Sequence, residues 1–314
     1  MTLSETMAHM RAELAAAING APWAIDKDYL VYLSGFARPL VVQGEGMKAI
    51  SPTTPRRAVA TGDNIAVLNL AGVITPKPTF FSMFFGGTAL TDFAAELEAA
   101  VNDPKVAGIV INVDSPGGMI DLVTETAAQI RAAKAVKPII AVANTDAASA
   151  AYWLAAQADE LIVTPSGEVG SIGVYTVHTD RSGAEAQAGL KTTLISAGKY
   201  KVEGNPYEPL TEEAAAALQS RIDTYYSMFV ADVAAGRGVT TSAVTAGYGQ
   251  GRIVAAQDAK TAGMVDGVGT LAEVLAGFAT KLGGGKMTAE AISPSISSAL
   301  HERARFEQHR FLTG

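Results

Sequence analysis

The sequence contains no cysteine. That absence excludes a disulfide framework, a thiolate nucleophile and Cys-ligated zinc or iron–sulfur sites. Histidine is scarce as well: His9, His301 and His309 lie within the first ten or the last fourteen residues, and only His178 is internal. A histidine metal cage or a Ser-His-Asp triad has little material here, and no GxSxG elbow exists for His178 to serve. Charged residues make up only 18% of the chain, with 24 Lys and Arg against 31 Asp and Glu for a net charge of −7. No broad positive field is available to hold a nucleic-acid backbone. Long apolar runs are missing too. IAVLNLAGVI (65–74) and VAGIVINV (106–113) are the most hydrophobic stretches, well short of the roughly 20 residues a bilayer span needs. The N-terminal MTLSETMAHMRAELAAAINGAPWAI breaks its alanines with charges where a signal peptide would need an unbroken apolar core. The expectation is a cytoplasmic protein with no membrane anchor, no metal and no cofactor.

What is present is apolar material in alternating patterns. With 48% hydrophobic residues among 314, the chain can bury a core of one large domain or two small ones. Val- and Ile-rich runs at 65–70, 106–113, 138–143 and 160–164 alternate with Ala-rich stretches at 90–102, 121–135 and 147–158. That alternation predicts an α/β fold, a parallel sheet covered by helices. Residues 1–60 read as an N-terminal helical arm ending in the exposed connector SPTTPRR, residues 61–282 as the main domain, and residues 283–314 as a flexible tail that opens on GGG. A long helix is predicted over 211–238, opened by Thr211 and closed by Gly236.

Three segments carry candidate chemistry. In INVDSPGGMIDLV a strand runs into Ser115-Pro116-Gly117-Gly118 and then a helix, an arrangement that offers free backbone N–H groups to an oxyanion and equally serves as an ordinary turn. In NTDAASAAYWLAAQ, Ser149 follows a strand and opens a helix, where a serine is either a helix cap or an exposed nucleophile. In ISAGKYKVEGNPYEPL, Lys199 and Lys201 stand in a loop between an apolar strand and the long helix. In an extended segment they point to opposite sides, and a lysine serves as a general base only where burial lowers its pKa towards neutrality. GAEAQAGLKT (183–192) lacks the GxxxxGK[ST] spacing of a phosphate loop.

Taken in order, these segments resemble the signal peptide peptidase A (protease IV) family of serine peptidases. VDSPGG (113–118) is similar to its S-P-G-G segment, DAASAAYWLAAQADELIVTPSGEVGSIGV (146–174) to its serine block, AGKYKVEGNPYEPLTEE (197–213) to its lysine block, and GRIVAAQDAKTAGMVDGVGTL (251–271) to its final block. The resemblance covers about 65–275 and implies a Clp protease/crotonase-like fold. It also implies a Ser-Lys dyad of Ser149 as nucleophile and Lys201 as base, with Ser171 orienting the lysine and oxyanion N–H donors at Gly117, Gly118 and Ala150. Such a dyad needs neither His nor Cys. The Gly-Gly that usually follows the nucleophile is Ala150-Ala151 here, a difference that bears on substrate preference.

Without an anchor, the chain resembles the soluble phage and prophage branch of capsid assembly proteases, which implies scaffold, capsid or portal proteins as substrates. The tail would then begin a scaffold segment. Short members of the family form rings in which serine and lysine can come from one protomer or from adjacent ones, so the resemblance implies a homo-oligomer. The alternatives are a soluble enzyme that degrades peptides, a non-catalytic assembly module on the same fold, and an acyl-CoA enzyme of the crotonase type. The last lacks a carboxylate base beside the SPGG turn.

Overall fold

A computed structural model describes residues 21–30, 59–61, 64–79 and 86–283, together with Leu14, Ile18, Leu33 and Ser82. The tail from 284 onward and most of the 1–60 arm, including the SPTTPRR connector, lie outside the described residues.

The strands in chain order are β1 (Trp23–Ile25), β2 (Val59–Thr61), β3 (Ile65–Ala71), β4 (Ile74–Thr75), β5 (Thr88–Ala89), β6 (Gly108–Ser115), β7 (Gly117–Met119), β8 (Ile139–Ala148), β9 (Glu160–Val163), β10 (Glu168–Gly170), β11 (Ile253–Ala255) and β12 (Gly267–Val268). The helices are α1 (Leu90–Asn102), α2 (Val123–Lys134), α3 (Ala150–Ala155), α4 (Ser182–Gln187), α5 (Glu212–Arg237), α6 (Thr241–Gly247), α7 (Ala256–Thr261) and α8 (Leu271–Lys281). The main sheet runs β11-β10-β8-β6-β3-β2, with β9 also on β8 and β12 on β9. Its centre, β3-β6-β8, is parallel, as are β9 and β10 on β8, and the edges β2 and β11 are antiparallel. A smaller sheet, β1-β7-β4-β5, lies beside it.

Burial on both faces explains the near-continuous apolar runs of β3 and β6. Leu68, Leu70, Ile109, Ile111 and Val113 face one core with Phe93 of α1, Ile130 of α2 and Trp153 of α3. The alternate residues Ile65, Val67, Val110, Ile140 and Val142 face Leu271, Leu275 and Phe278 of α8. On that second face, where β3 and β6 pair Asn69 with Asn112, the amide of Asn112 donates to the Asn69 side chain at 2.8 Å.

Helix α5 is capped as predicted by Thr211, whose hydroxyl accepts the Ala214 N–H at 3.2 Å, but it runs through Gly236 and ends at Gly238 with φ 65°. Gly236 serves close packing instead: a β-carbon there would lie 2.8 Å from the Gln157 side chain and nearer still to the Ala156 carbonyl. The apolar strand predicted ahead of the lysines does not form. Residues 190–196 have no regular structure, because no neighbouring strand among the described residues offers them backbone partners.

Candidate active site

Ser149 is the junction between β8 and α3. Its backbone lies at φ 54° and ψ −119°, a conformation that costs a non-glycine residue about 1–3 kcal/mol and persists only where the surroundings impose it. They do so here: the Ser149 N–H donates to the Gly170 carbonyl at 2.7 Å, and the Ser149 carbonyl accepts the Trp153 N–H at 2.9 Å. Ser149 stands at the N-cap position of α3 without capping it. Its hydroxyl instead faces the carbonyl of Gly173 at 3.5 Å, the outer limit of a hydrogen bond. The first turn of α3 leaves the Ala150 N–H without an acceptor in its own helix.

The glycine segment comes from the neighbouring strand. Ser115 ends β6, and its hydroxyl donates to the Gly72 carbonyl at 2.6 Å and accepts the Gly117 N–H at 3.2 Å. Ser115 is thereby a positioning residue of the turn, unassigned by sequence reasoning although it stands in the SPGG motif. The Gly117 N–H is directed at the Ser115 hydroxyl, while Gly118 pairs with Ala24 of β1. Gly117 itself has φ 96°, and a β-carbon on it would lie 2.9 Å from the Ser149 β-carbon.

Ser171 follows Gly170, whose carbonyl holds the Ser149 N–H. It is buried, with a left-handed φ of 53° and its N–H donated to the Arg252 carbonyl at 2.8 Å. The helix behind the serine is anchored by a polar network. Asp232 of α5 accepts from Trp153 Nε1 at 2.8 Å, from Thr124 at 2.6 Å and from Arg131 at 2.9 Å. Gln157 accepts from Arg131 at 2.6 Å, and Trp153 stacks on Phe229 at 4.4 Å.

The two lysines fare differently. Lys199 donates to the Tyr200 hydroxyl at 2.7 Å and to Glu213 at 3.0 Å. The Tyr200 bond first and the Glu213 bond second hold its ammonium above the ordinary lysine range, the wrong direction for a base. Lys201 has no hydrogen bond or ion pair to its side chain among the described residues and is exposed. The segment is turned rather than extended, with the Lys201 N–H donated to the Gly198 carbonyl at 3.2 Å. Within one chain, then, Ser149, Ser171, Gly117 and Ala150 are gathered around the ends of β8 and β10, while Lys201 is exposed on a loop. His178, the internal histidine, contacts the Asn205 carbonyl at 3.1 Å. Among the described residues no cluster of three or more His, Asp or Glu could hold a metal, and no helix is long and apolar enough to cross a membrane.

A strained serine between a buried strand and a helix, facing a glycine strand, has the geometry of a candidate nucleophile. Residues 131–283 match peptidase family S49, and the chain belongs to that family. It is 32% identical over 249 residues to the capsid assembly protease C of Escherichia phage lambda, covering 77% of this chain and 56% of that protein. It is 33% identical over 228 residues to the head-tail preconnector protein GP5 of Enterobacteria phage P21, covering 73% and 45%. A putative signal peptide peptidase SppA of Enterococcus faecium is 31% identical over 179 residues, covering 57% and 52%. The chain spans about half the length of these relatives.

Proposed function

We propose that the chain is a serine endopeptidase that cleaves scaffold, capsid or portal proteins while a viral head assembles in the host cytoplasm. The observation that carries this reading is Ser149, held by backbone strain at the end of β8 with its hydroxyl free of capping, in a chain with no cysteine and no histidine beside it. The relationship to capsid assembly protease C supports the viral substrate class.

In this mechanism Ser149 Oγ attacks the scissile carbonyl while its proton passes to the neutral amine of Lys201. The oxyanion is held by the N–H groups of Gly118 and Ala150. The C–N bond then breaks, the lysine returns the proton to the leaving amine, and water deprotonated by the same lysine hydrolyses the acyl-enzyme. Lys201 takes this role over Lys199 because its amine has no carboxylate partner. Its place on the surface loop supports a dyad completed by a second copy, whose surface would desolvate the amine and favour its neutral form.

The test is mass spectrometry of wild type, Ser149→Ala, Lys201→Ala and Lys199→Ala, each incubated with a viral scaffold protein. New termini made by wild type and Lys199→Ala but by neither of the other two are expected. Cleavage that survives Ser149→Ala would overturn the reading, and cleavage of short peptides alone would favour a peptide-degrading enzyme.

A further inference from the structure

Ser149 has no exposed surface at all, which is incompatible with attack on an incoming chain unless something moves. What covers it is β1. This strand pairs antiparallel with β7, Ala24 opposite Gly118 and Ile25 opposite Gly117, and the Asp26 N–H donates to the Pro116 carbonyl at 2.8 Å. On its other side, the Trp23 N–H donates to the Tyr175 carbonyl at 2.9 Å and the Tyr175 N–H to the Trp23 carbonyl at 3.0 Å. β1 therefore fills the gap between the two backbone edges that flank the serine, the glycine strand and the segment 173–175.

The register is that of a substrate. Bonded rungs of an antiparallel ladder alternate, so the rung after Asp26/Pro116 is Ala24/Gly118, which aims the Ala24 carbonyl at the N–H to which the mechanism assigns the oxyanion. That carbonyl is also among the atoms nearest to where a Gly117 β-carbon would sit, as is the Ser149 β-carbon. Side chains alternate accordingly: Ala24 packs into the main core, while Trp23 and Ile25 join the separate cluster of Leu14, Ile18, Leu30, Leu33 and Val73.

We infer that residues 22–25 are a built-in substrate mimic, occupying the cleft as an added strand with Ala24 at the position of the residue whose carbonyl is attacked. The inference rests on Ser149 being the nucleophile. Two consequences follow. The chain is latent until β1 leaves, and the cleft takes extended peptides with a small residue in the place of Ala24, whose side chain is fully buried in the main core.

The absence of native cysteine permits a clean test. Trp23 and Met119 form a rung that is not hydrogen-bonded to its partner, where Cα atoms lie about 4.5 Å apart, within reach of a disulfide. In the full-length Trp23→Cys/Met119→Cys variant, turnover of fluorescently labelled casein is expected to be at least tenfold lower oxidised than reduced, and equal rates in the two states overturn the inference. Ser149→Ala in the same background separates the two readings. Turnover that survives it moves the nucleophile elsewhere, whereas turnover that depends on Ser149 but ignores the tether removes only the strand from the substrate path. If the double variant does not fold, a synthetic Ala-Pro-Trp-Ala-Ile-Asp peptide added to wild type is expected to compete with casein where its scrambled form does not. No inhibition by either peptide overturns the inference.

Discussion

Gly117 approaches Ser149 so closely that a β-carbon on the glycine would stand 2.9 Å from the β-carbon of the serine, closer than real side chains come. The contact is set by two strands that end side by side, β6 leading into Gly117 and β8 into Ser149, and by a φ of 96° at the glycine. Gly117→Ala should therefore combine backbone strain of about 1–2 kcal/mol with overpacking of about 1–3 kcal/mol. The expected outcome is a lowered midpoint in urea together with loss of peptide turnover. Retained activity at reduced stability would mean that the glycine serves the fold alone.

The network behind the serine gives a second prediction. Asp232 receives Trp153, Thr124 and Arg131 within 2.9 Å, and the side chains of the ion pair are only 29% and 15% exposed for Arg131 and Asp232 respectively. Removing the carboxylate leaves the guanidinium without its counter-charge, held only by Gln157, and the indole N–H without its acceptor in a largely dry site, a loss of roughly 3 kcal/mol. Asp232→Ala is expected to lower Tm by about 6–12 °C, read by calorimetry. A surface-like change below 1 °C would show that water replaces the carboxylate at no cost.

Much of the fold was legible because its strands are buried on both faces: the Val- and Ile-rich runs at 65–70 and 160–164 reappear as β3 and β9, and the helix predicted over 90–102 is α1 to the residue. The position of Ser149 at a strand end was legible for the same reason. Its strained φ was not, nor that of Ser171, since serine carries none of the signals of a left-handed backbone. The Ser115 bond to Gly72 depends on a tertiary approach of β3 to β6 that no local spacing reveals. The strand at Trp23–Ile25 escaped for a related reason, because three residues contain no periodicity and its partners lie far off in sequence, at Gly117–Met119 and at Tyr175.

Acid stability should depend on Asp266. Burial alone would raise its carboxyl, but the Arg237 hydrogen bond, the Leu161 N–H and the guanidinium charge outweigh burial and hold it below the usual carboxylate range. A carboxyl depressed in the folded state stabilises the fold above its unfolded pKa of about 3.9, and the contribution is lost as pH falls through the folded value. Asp266→Asn is expected to be less stable than wild type at pH 7 and to converge with it below about pH 4. Urea midpoints measured across that range check the sign, and a constant difference at every pH would assign the effect to packing.

The surface loop gives the last prediction. Leu190 is 62% exposed, Ile195 96% and Tyr200 51%, clustered in sequence around Lys201. If these exposed apolar side chains serve association between copies, as exposed apolar surface commonly does, a base supplied across that contact would tie activity to assembly. Specific activity is then expected to fall on dilution as protomers separate, because dissociation parts Ser149 from its lysine. Ile195→Asp places a charge at the centre of this surface without touching the core, so it should shift sedimentation towards the monomer and reduce turnover while leaving the monomer's thermal midpoint within about 1 °C. Activity independent of concentration in both proteins would mean that each chain completes its dyad alone, with the 188–204 loop folding back over its own serine.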